Sequence, residues 1–155
     1  MKAQFVVRKA APLDASGIAA LLAGYAEKGA LLPRPVEEVL ETIRDFFVIA
    51  DDTQGVLACS ALRIYDDRLA EVRSIAVQPD SVRHGLGRLL LAACEEDARA
   101  YGVQKVFALT YVPEFFERNG YTRLPKEDLP QKIWRDCFRC TLFPNCGEIA
   151  VIKEA

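Results

Sequence analysis

The spacing of apolar residues predicts three amphipathic helices. In each, apolar side chains recur three and four residues apart, which places them on one face. The first helix opens at Pro12 and Asp14, the second at Pro35, and the third covers 86–100. Polar residues at 95–97 in the third helix are expected to form a solvated face. The apolar faces are Ile18, Leu21, Leu22 and Tyr25; Val36, Val39, Leu40 and Ile43; and Leu86, Leu90, Ala93 and Cys94.

Runs of β-branched and aromatic residues between turn residues predict the strands. The DDTQG segment at 51–55 joins two strands as a hairpin, and Asp66 and Asp67 mark the next turn, so three consecutive strands form an antiparallel meander. A short helix at 114–118 precedes the last two strands. The strands are predicted at 5–8, 46–50, 56–64, around Glu71, and at 106–109, 121–124 and 149–152. This order makes a mixed α/β layer in a single domain covering 1–155.

Composition limits the classes of protein to consider. The chain has 155 residues, 51% of them hydrophobic, and a net charge of −2, so no general attraction to nucleic acid or a membrane is expected. No long apolar run opens the chain and none reaches the length of a membrane span, so neither a signal peptide nor a membrane helix is predicted. Five cysteines, an odd number, do not fit a secreted disulfide framework, and we expect a reducing cytoplasm.

The stretch 70–88, AEVRSIAVQPDSVRHGLGR, carries the strongest chemical signal. A strand containing Glu71 ends at Pro79, because proline has no N–H for the ladder. Gly85 and Gly87 then let the backbone approach a bulky group, immediately before the third helix. Free N–H groups leading into a helix N-terminus bind anions, most often phosphate. The stretch therefore predicts a phosphate site beside a carboxylate.

The order of elements, the segment AEVRSIAVQPDSVRHGLGRLL and the segment FFERNGY resemble the GNAT family of N-acetyltransferases over nearly the whole chain. That family writes its pyrophosphate loop Gln/Arg-x-x-Gly-x-Gly/Ala, and Val82 departs from the first position. The departure is mild because the loop acts through main-chain N–H groups. The resemblance implies a mostly antiparallel twisted sheet of about seven strands with four helices, and acetyl-CoA as co-substrate.

The resemblance also implies where acetyl-CoA binds. Main-chain atoms of Ile75 to Val77 are expected to pair with the pantetheine arm as a missing strand would. The amides from Val82 to Arg88 are expected to hold the pyrophosphate, and the two arginines of this loop either add charge or simply face solvent. The predicted acetyl-CoA residues are Ile75, Ala76, Val77, Val82, Arg83, His84, Gly85, Leu86, Gly87 and Arg88.

Glu71 stands where several members of the family keep a general base. The attacking amine arrives protonated, and a carboxylate in a half-buried cleft can accept its proton directly or through water. The alternative is an ion pair with Arg73, two residues on, which would make the carboxylate a poorer base. Many family members place a proton-donating tyrosine where this chain has Phe116. Either Tyr111 replaces it or the thiolate, from a thiol with a pKa of about 8.5, leaves without an acid.

A narrower resemblance concerns the acceptor. The segments EKGALLPRP, KVFALTYVPEFFERNGY, LPQKIWRDCFRC and FPNCGEIAVIKE resemble the short, stand-alone form of the N-acetylglutamate synthases. That likeness implies transfer to the α-amine of L-glutamate, at the start of arginine biosynthesis. Two carboxylates require cationic side chains, and the candidates are Arg34, Arg73, Lys132 and Arg135. Glutamine, another amino acid, a protein amine, or a non-catalytic acyl-CoA-binding or metal-binding regulator are the alternatives. A homodimer is common in the family.

The remaining chemical signal is a group of three cysteines. Cys137, Cys140 and Cys146 have C-x2-C-x5-C spacing, which is metal-like, but a closed zinc site needs four ligands. We therefore expect no metal and interpret these cysteines as small buried residues or a redox-labile pair. Cys59 and Cys94 lie in strand and helix patterns and are expected in the core.

Overall fold

Seven strands form one sheet in the order β1-β2-β3-β4-β5-β7-β6. The structure is a computed structural model; it describes residues 5–27, 34–53, 55–129 and 148–155, with the backbone alone at 82–84. Every neighbouring pair of strands is antiparallel except β4 and β5, which are parallel. The strands are β1 (Arg8–Lys9), β2 (Phe46–Asp51), β3 (Gly55–Ile64), β4 (Leu69–Val77), β5 (Lys105–Thr110), β6 (Thr122–Leu124) and β7 (Ile149–Glu154).

Four α-helices accompany the sheet within the described ranges, and short 3-10 turns connect several of the elements. The mixed class, the strand count and the mostly antiparallel pairing confirm the fold predicted above. The helices are α1 (Ala15–Glu27), α2 (Val36–Glu41), α3 (Leu86–Ala100) and α4 (Pro113–Glu117), and the 3-10 turns are Pro12–Asp14, Ile43–Asp45, Pro79–His84 and Lys126–Asp128.

The two faces of the sheet bury separate apolar clusters. On one face α3 packs its stripe, including Leu86 and Leu90, against strand residues such as Val72 and Val106. On the other face α1 and α2 cover a second cluster, and a third, smaller cluster lies beside it around Leu69 and Phe107. Burial on both faces explains why the central strands have near-continuous apolar runs.

Three predictions about local structure were wrong. The first strand is Arg8–Lys9, not 5–8, because pairing with β2 reaches only Phe47 and Val48. Leu40 is 42% exposed, since α2 has only six residues and cannot bury a full stripe. Glu95, expected in solvent, is buried.

Glu95 is buried because other elements supply hydrogen-bond donors. Its Oε2 accepts from the Tyr121 hydroxyl at 2.8 Å and its Oε1 from Lys153 Nζ at 3.3 Å. Lys153 Nζ also donates to the carbonyl of Asn119 at 2.9 Å. These bonds connect α3, β7 and the segment between α4 and β6. They fix the position of the helix whose N-terminus faces the site described next.

Candidate active site

An opening lies between β4 and β5. Their parallel pairing covers three residue pairs and ends at Glu71 and Phe107. Beyond that point β4 continues to Val77 along β3, and β5 continues to Thr110 along β7. The two strands therefore separate, and main-chain groups of the second half of β4 face the opening rather than another strand. Such an unpaired stretch is suited to binding an extended ligand as an added strand.

A β-bulge at Ser74 divides β4 into two halves. Between Arg73 and Ala76 the strand has one residue more than β3 opposite it. Ser74 has φ 53°, the one positive φ outside glycine in the part of the chain that the structure describes. Such a conformation persists only where its surroundings hold it. Here Arg34 Nη1 donates to Ser74 Oγ at 3.1 Å, and Cys59 Sγ donates to the Ser74 carbonyl at 3.4 Å.

The bulge sends side chains of the two halves to opposite faces. Arg73 pairs with Ala61, which belongs to the α1/α2 cluster, so Glu71 and Arg73 lie on that face. Ile75 and Val77 pack against the α3 cluster instead. In a regular strand the side chains of Glu71, Arg73, Ile75 and Val77 would share one face, and the bulge at Ser74 breaks this alternation. One consequence is that Glu71 and Arg73 share a face with the α1/α2 cluster, whereas Ile75 and Val77 share a face with the α3 cluster.

The end of β4 is fixed from two sides. Gln78 returns to β3 through its amide, which donates to the Leu57 carbonyl at 2.7 Å. The hydroxyl of Tyr25 on α1 donates to the Val77 carbonyl. A carbonyl oxygen has two lone pairs, so Val77 retains capacity for a second donor.

The N-terminus of α3 offers free amides near the end of β4. Its N-cap is Gly85, with φ 71°, and glycine has no side chain to satisfy the first-turn N–H groups. Arg88 is exposed in that first turn, where a cation opposes the helix dipole unless an anion is bound there. Gly87 is close-packed: a Cβ there would lie 3.3 Å from Phe115 Cε1. These features fit the predicted pyrophosphate loop, in which the side chains of Val82, Arg83 and His84 are outside the described atoms.

Glu71 lies on the α1/α2 face, in the half of β4 that precedes the bulge, and is only 7% exposed. Its Oε1 accepts from the Tyr65 hydroxyl at 3.1 Å and lies 3.4 Å from Arg73 Nε. The ion pair with Arg73 foreseen as the alternative is therefore present. The ion pair leaves the Glu71 carboxylate in the candidate site, because Glu71 and Arg73 both lie where β4 and β5 separate. Its role as a base stays a prediction.

Three arginines gather on this face. Burial, followed by repulsion from Arg73 and then Arg63, lowers the pKa of Arg34 below its ordinary value. Burial also raises the pKa of Asp45, against the attraction of Lys9 and then of the same three arginines. The structure thus brings together two predicted residues, Arg34 and Arg73. Clustered guanidinium groups favour an anionic ligand, and Glu38, Asp45 and Glu71 balance part of their charge.

Arg63 is a member of this group that sequence reasoning missed. It lies directly opposite Glu71 in the β3–β4 ladder, and its Cζ is 5.0 Å from the centroid of the Tyr65 ring. The β3–β4 register could have identified Arg63 from the sequence, since a hairpin through Asp66 and Asp67 places Arg63 across from Glu71. Two other predicted acceptor residues, Lys132 and Arg135, lie outside the described residues.

Other candidate chemistry is limited. Phe116 is buried in the α3 cluster, so no acid can come from that position, whereas Tyr111 is partly exposed after β5. Among the described residues no group of three histidine, cysteine or acidic side chains is placed to hold a metal ion. Cys137, Cys140 and Cys146 fall outside those residues. Within the described ranges no helix has the length and apolar character needed to cross a bilayer.

Comparison with known proteins gives a consistent picture. The model of the acetyltransferase (GNAT) domain matches residues 43–123, just over half of the chain. An uncharacterized N-acetyltransferase of Chlorobaculum tepidum is 46% identical over 95% of this chain and 94% of its own length. An amino-acid acetyltransferase of Mycobacterium tuberculosis is 32% identical over 86% of this chain and 78% of its own.

A solved structure agrees with the architecture as well. N-acetylglutamate synthase from Neisseria gonorrhoeae, complexed with coenzyme A and N-acetyl-glutamate, superposes with a TM-score of 0.88 at 26% identity. The alignment covers 99% of this chain but 36% of that one, so the present chain matches about a third of the larger protein. The family predicted from the 70–90 stretch and from FFERNGY is confirmed. The chain belongs to the GNAT family of acetyl-CoA-dependent N-acetyltransferases.

Proposed function

We propose that this N-acetyltransferase moves the acetyl group of acetyl-CoA to the α-amine of an acidic amino acid, L-glutamate. The observation that carries the proposal is the grouping of Arg34, Arg63 and Arg73 beside the buried Glu71, where β4 and β5 separate. A dicarboxylate amine needs cationic partners for its carboxylates and a base for its ammonium. The site offers both on one face.

The donor half of the site fits acetyl-CoA. Main-chain groups from Ile75 to Val77 that face the opening would hold the pantetheine arm, and the amides from Val82 to Arg88 would hold the pyrophosphate. Acetyl-CoA supplies an acetyl group already activated as a thioester. The main-chain N–H of Ile75, next to the bulge, is suited to stabilising the oxyanion that develops on the thioester carbonyl.

The acceptor half supplies the proton chemistry. Glu71 takes a proton from the substrate ammonium, directly or through one water molecule. The free amine then forms the N–C bond as the C–S bond breaks, CoA leaves as its thiolate, and the nitrogen loses its second proton to solvent as the amide forms. A thiol with a pKa of about 8.5 leaves without an acid near neutral pH. Attack is direct, with no acetyl-enzyme, and Glu71 later releases its proton to solvent.

The arginines would divide two carboxylates between them. Arg34 reaches the face from the connector before α2, Arg63 from β3 and Arg73 from β4, so they approach from separate elements. Relatives named amino-acid acetyltransferase, and a structural neighbour complexed with N-acetyl-glutamate, support this assignment. Lys132 and Arg135 remain proposed contributors. Glutamine, with one carboxylate, is the competing acceptor.

The wider setting follows from the same assignment. We infer a single-domain cytoplasmic enzyme covering 1–155 that would serve the first step of arginine biosynthesis. The odd cysteine count supports the reducing compartment. A homodimer is the assembly to look for by light scattering.

A thiol-release assay with acetyl-CoA across the amino acids tests the acceptor. We expect saturable activity with glutamate, less with glutamine because one arginine clamp loses its partner, and none with alanine. Activity confined to amines that lack a second carboxylate would refute the assignment.

Glu71→Gln tests the base. At neutral pH kcat should fall by about 10²-fold or more, with a smaller loss at high pH where free amine exists. Glu114→Gln, an exposed change on α4, is the matched control and should keep full activity. A Glu71→Gln enzyme with an unchanged pH profile would contradict the base assignment.

A further inference from the structure

Tyr65 contacts the carboxylate of Glu71, and neither the family pattern nor the acceptor chemistry assigns this tyrosine a role. The Tyr65 hydroxyl donates to Glu71 Oε1 at 3.1 Å. Arg73 Nε lies 3.4 Å from that same oxygen. A hydrogen bond and an ion pair at one oxygen restrict the rotation of the carboxylate plane. A base must be oriented as well as basic, because proton transfer requires hydrogen-bond geometry.

Tyr65 is itself rigidly held. It follows β3 directly, and its amide donates to the Leu69 carbonyl at 3.0 Å, which closes the β3–β4 turn. Asp66 Oδ1 braces that turn by accepting from the amides of Arg68 and Leu69, each at 2.8 Å. The position of the tyrosine backbone is therefore set by the hairpin.

The ring of Tyr65 is fixed by packing. Its centroid lies 5.8 Å from that of Phe107, a fully buried residue that pairs with Glu71 across the β4–β5 ladder. Arg63 places its guanidinium 5.0 Å from the same ring. Stacking of this kind leaves the phenol few alternative rotamers. The hydroxyl is consequently delivered to Glu71 by residues from β3, β4 and β5.

Each strand around Glu71 contributes a distinct group. Arg63 faces it from β3, Arg73 lies on β4 itself, and β5 contributes Phe107, which does not titrate. Tyr65 thus donates to this carboxylate as a neutral group. A neutral donor orients a carboxylate while stabilising its charged form less than a second cation would.

We propose that Tyr65 is a positioning residue for Glu71, acting on the proton-transfer step by holding Oε1. The proposal rests on the proposed function, in which Glu71 is the base. It predicts that loss of the hydroxyl affects kcat and its pH dependence, and leaves the KM for each substrate nearly unchanged. A merely structural role would instead affect stability and KM.

Tyr65→Phe removes the hydroxyl and keeps the ring against Phe107. We expect kcat to fall by roughly tenfold, as for loss of a hydrogen bond to a charged group, and the acidic limb of the kcat–pH profile to move to higher pH. Tyr101→Phe, at an exposed tyrosine after α3, is the control and should behave as the unaltered protein. Thermal unfolding of each variant confirms that it is folded.

A double-mutant cycle separates this inference from the function on which it rests. In a Glu71→Gln background, Tyr65→Phe should cause no further loss, because there is no base left to orient. A further tenfold loss there, or full activity of Tyr65→Phe alone, overturns the positioning role while leaving Glu71 as base. Full activity of Glu71→Gln alone overturns both.

Discussion

Replacing Tyr121 by phenylalanine gives a prediction whose size can be worked out from the structure. Tyr121 is 3% exposed and donates to Glu95 Oε2 at 2.8 Å. The ring would remain, with its edge-on contact to Phe116 at 5.3 Å between centroids. The substitution therefore removes one hydrogen bond to a buried carboxylate and little else. Bonds to charged groups contribute about 1.5–3 kcal/mol, so we expect Tyr121→Phe to lower the free energy of unfolding by roughly 2 kcal/mol at neutral pH.

The pH dependence gives a second, independent number. Burial, and then the Glu95 charge, raise the pKa of Tyr121 above its ordinary value of 10.0. Above pH 10 the unfolded chain loses this proton while the folded protein keeps it, so deprotonation favours unfolding. The stability contributed by Tyr121 is therefore fully present below pH 10 and falls by about 1.4 kcal/mol per pH unit above it. The gap between the two proteins should close near pH ~11.5.

Urea denaturation followed by circular dichroism, in steps from pH 7.5 to about pH 11.5, measures both quantities. Only the difference between the proteins is interpreted, because the other tyrosines and the lysines titrate in both. Tyr101→Phe, at a tyrosine 69% exposed, should show neither effect. A gap that stays constant across this pH range would show that the Tyr121 hydroxyl is not held protonated by the fold, and the reasoning would fail.

Two further predictions concern the cofactor loop and the buried thiols. Gly87→Ala places a Cβ 3.3 Å from two Phe115 ring atoms. We therefore expect roughly a fivefold rise in the KM for acetyl-CoA, with kcat nearly unchanged. The control is Gly24→Ala, because the added Cβ meets no heavy atom within 4 Å. An unchanged KM would separate Gly87 from the cofactor site. Burial raises the pKa of Cys59 and of Cys94 to about 12, so iodoacetamide at pH 8 should leave both unmodified until denaturant is added, as read by peptide mass mapping. Rapid labelling of either in the folded protein would contradict their burial.

Local sequence determines much of this fold. The third helix was predicted at its observed bounds, because Gly85 and Gly102, both with positive φ, punctuate an amphipathic stripe. The glycine-bearing turn before this helix could be located for the same reason, since glycine placement is a local signal. Glu71 and Arg73, two positions apart on a strand, could be assigned to one face from period alone.

What failed depended on contacts distant in sequence. The bulge at Ser74 has no local mark, since serine rarely adopts φ 53° without partners such as Arg34, forty residues away. Burial of Glu95 requires Tyr121 and Lys153, which follow it by 26 and 58 residues. Arg63 becomes a site residue only once the register of the hairpin is known. These are tertiary effects that outweigh local preference.

The brief pairing of β4 with β5 has a consequence for the cohesion of the molecule. Strands β1 to β4 form one half of the sheet, and strands β5, β7 and β6 form the other. The β4–β5 ladder that joins the two halves has three residue pairs. A molecule bound in the opening between β4 and β5 would contact both halves of the sheet. It would therefore connect them beyond the point where the β4–β5 ladder ends. A ligand that binds only the folded protein shifts the folding equilibrium toward the folded state. Ligand binding in the opening would therefore raise the stability of the folded protein. If the substrates bind in this opening, as proposed above, their binding also stabilises the contact between the two halves of the sheet.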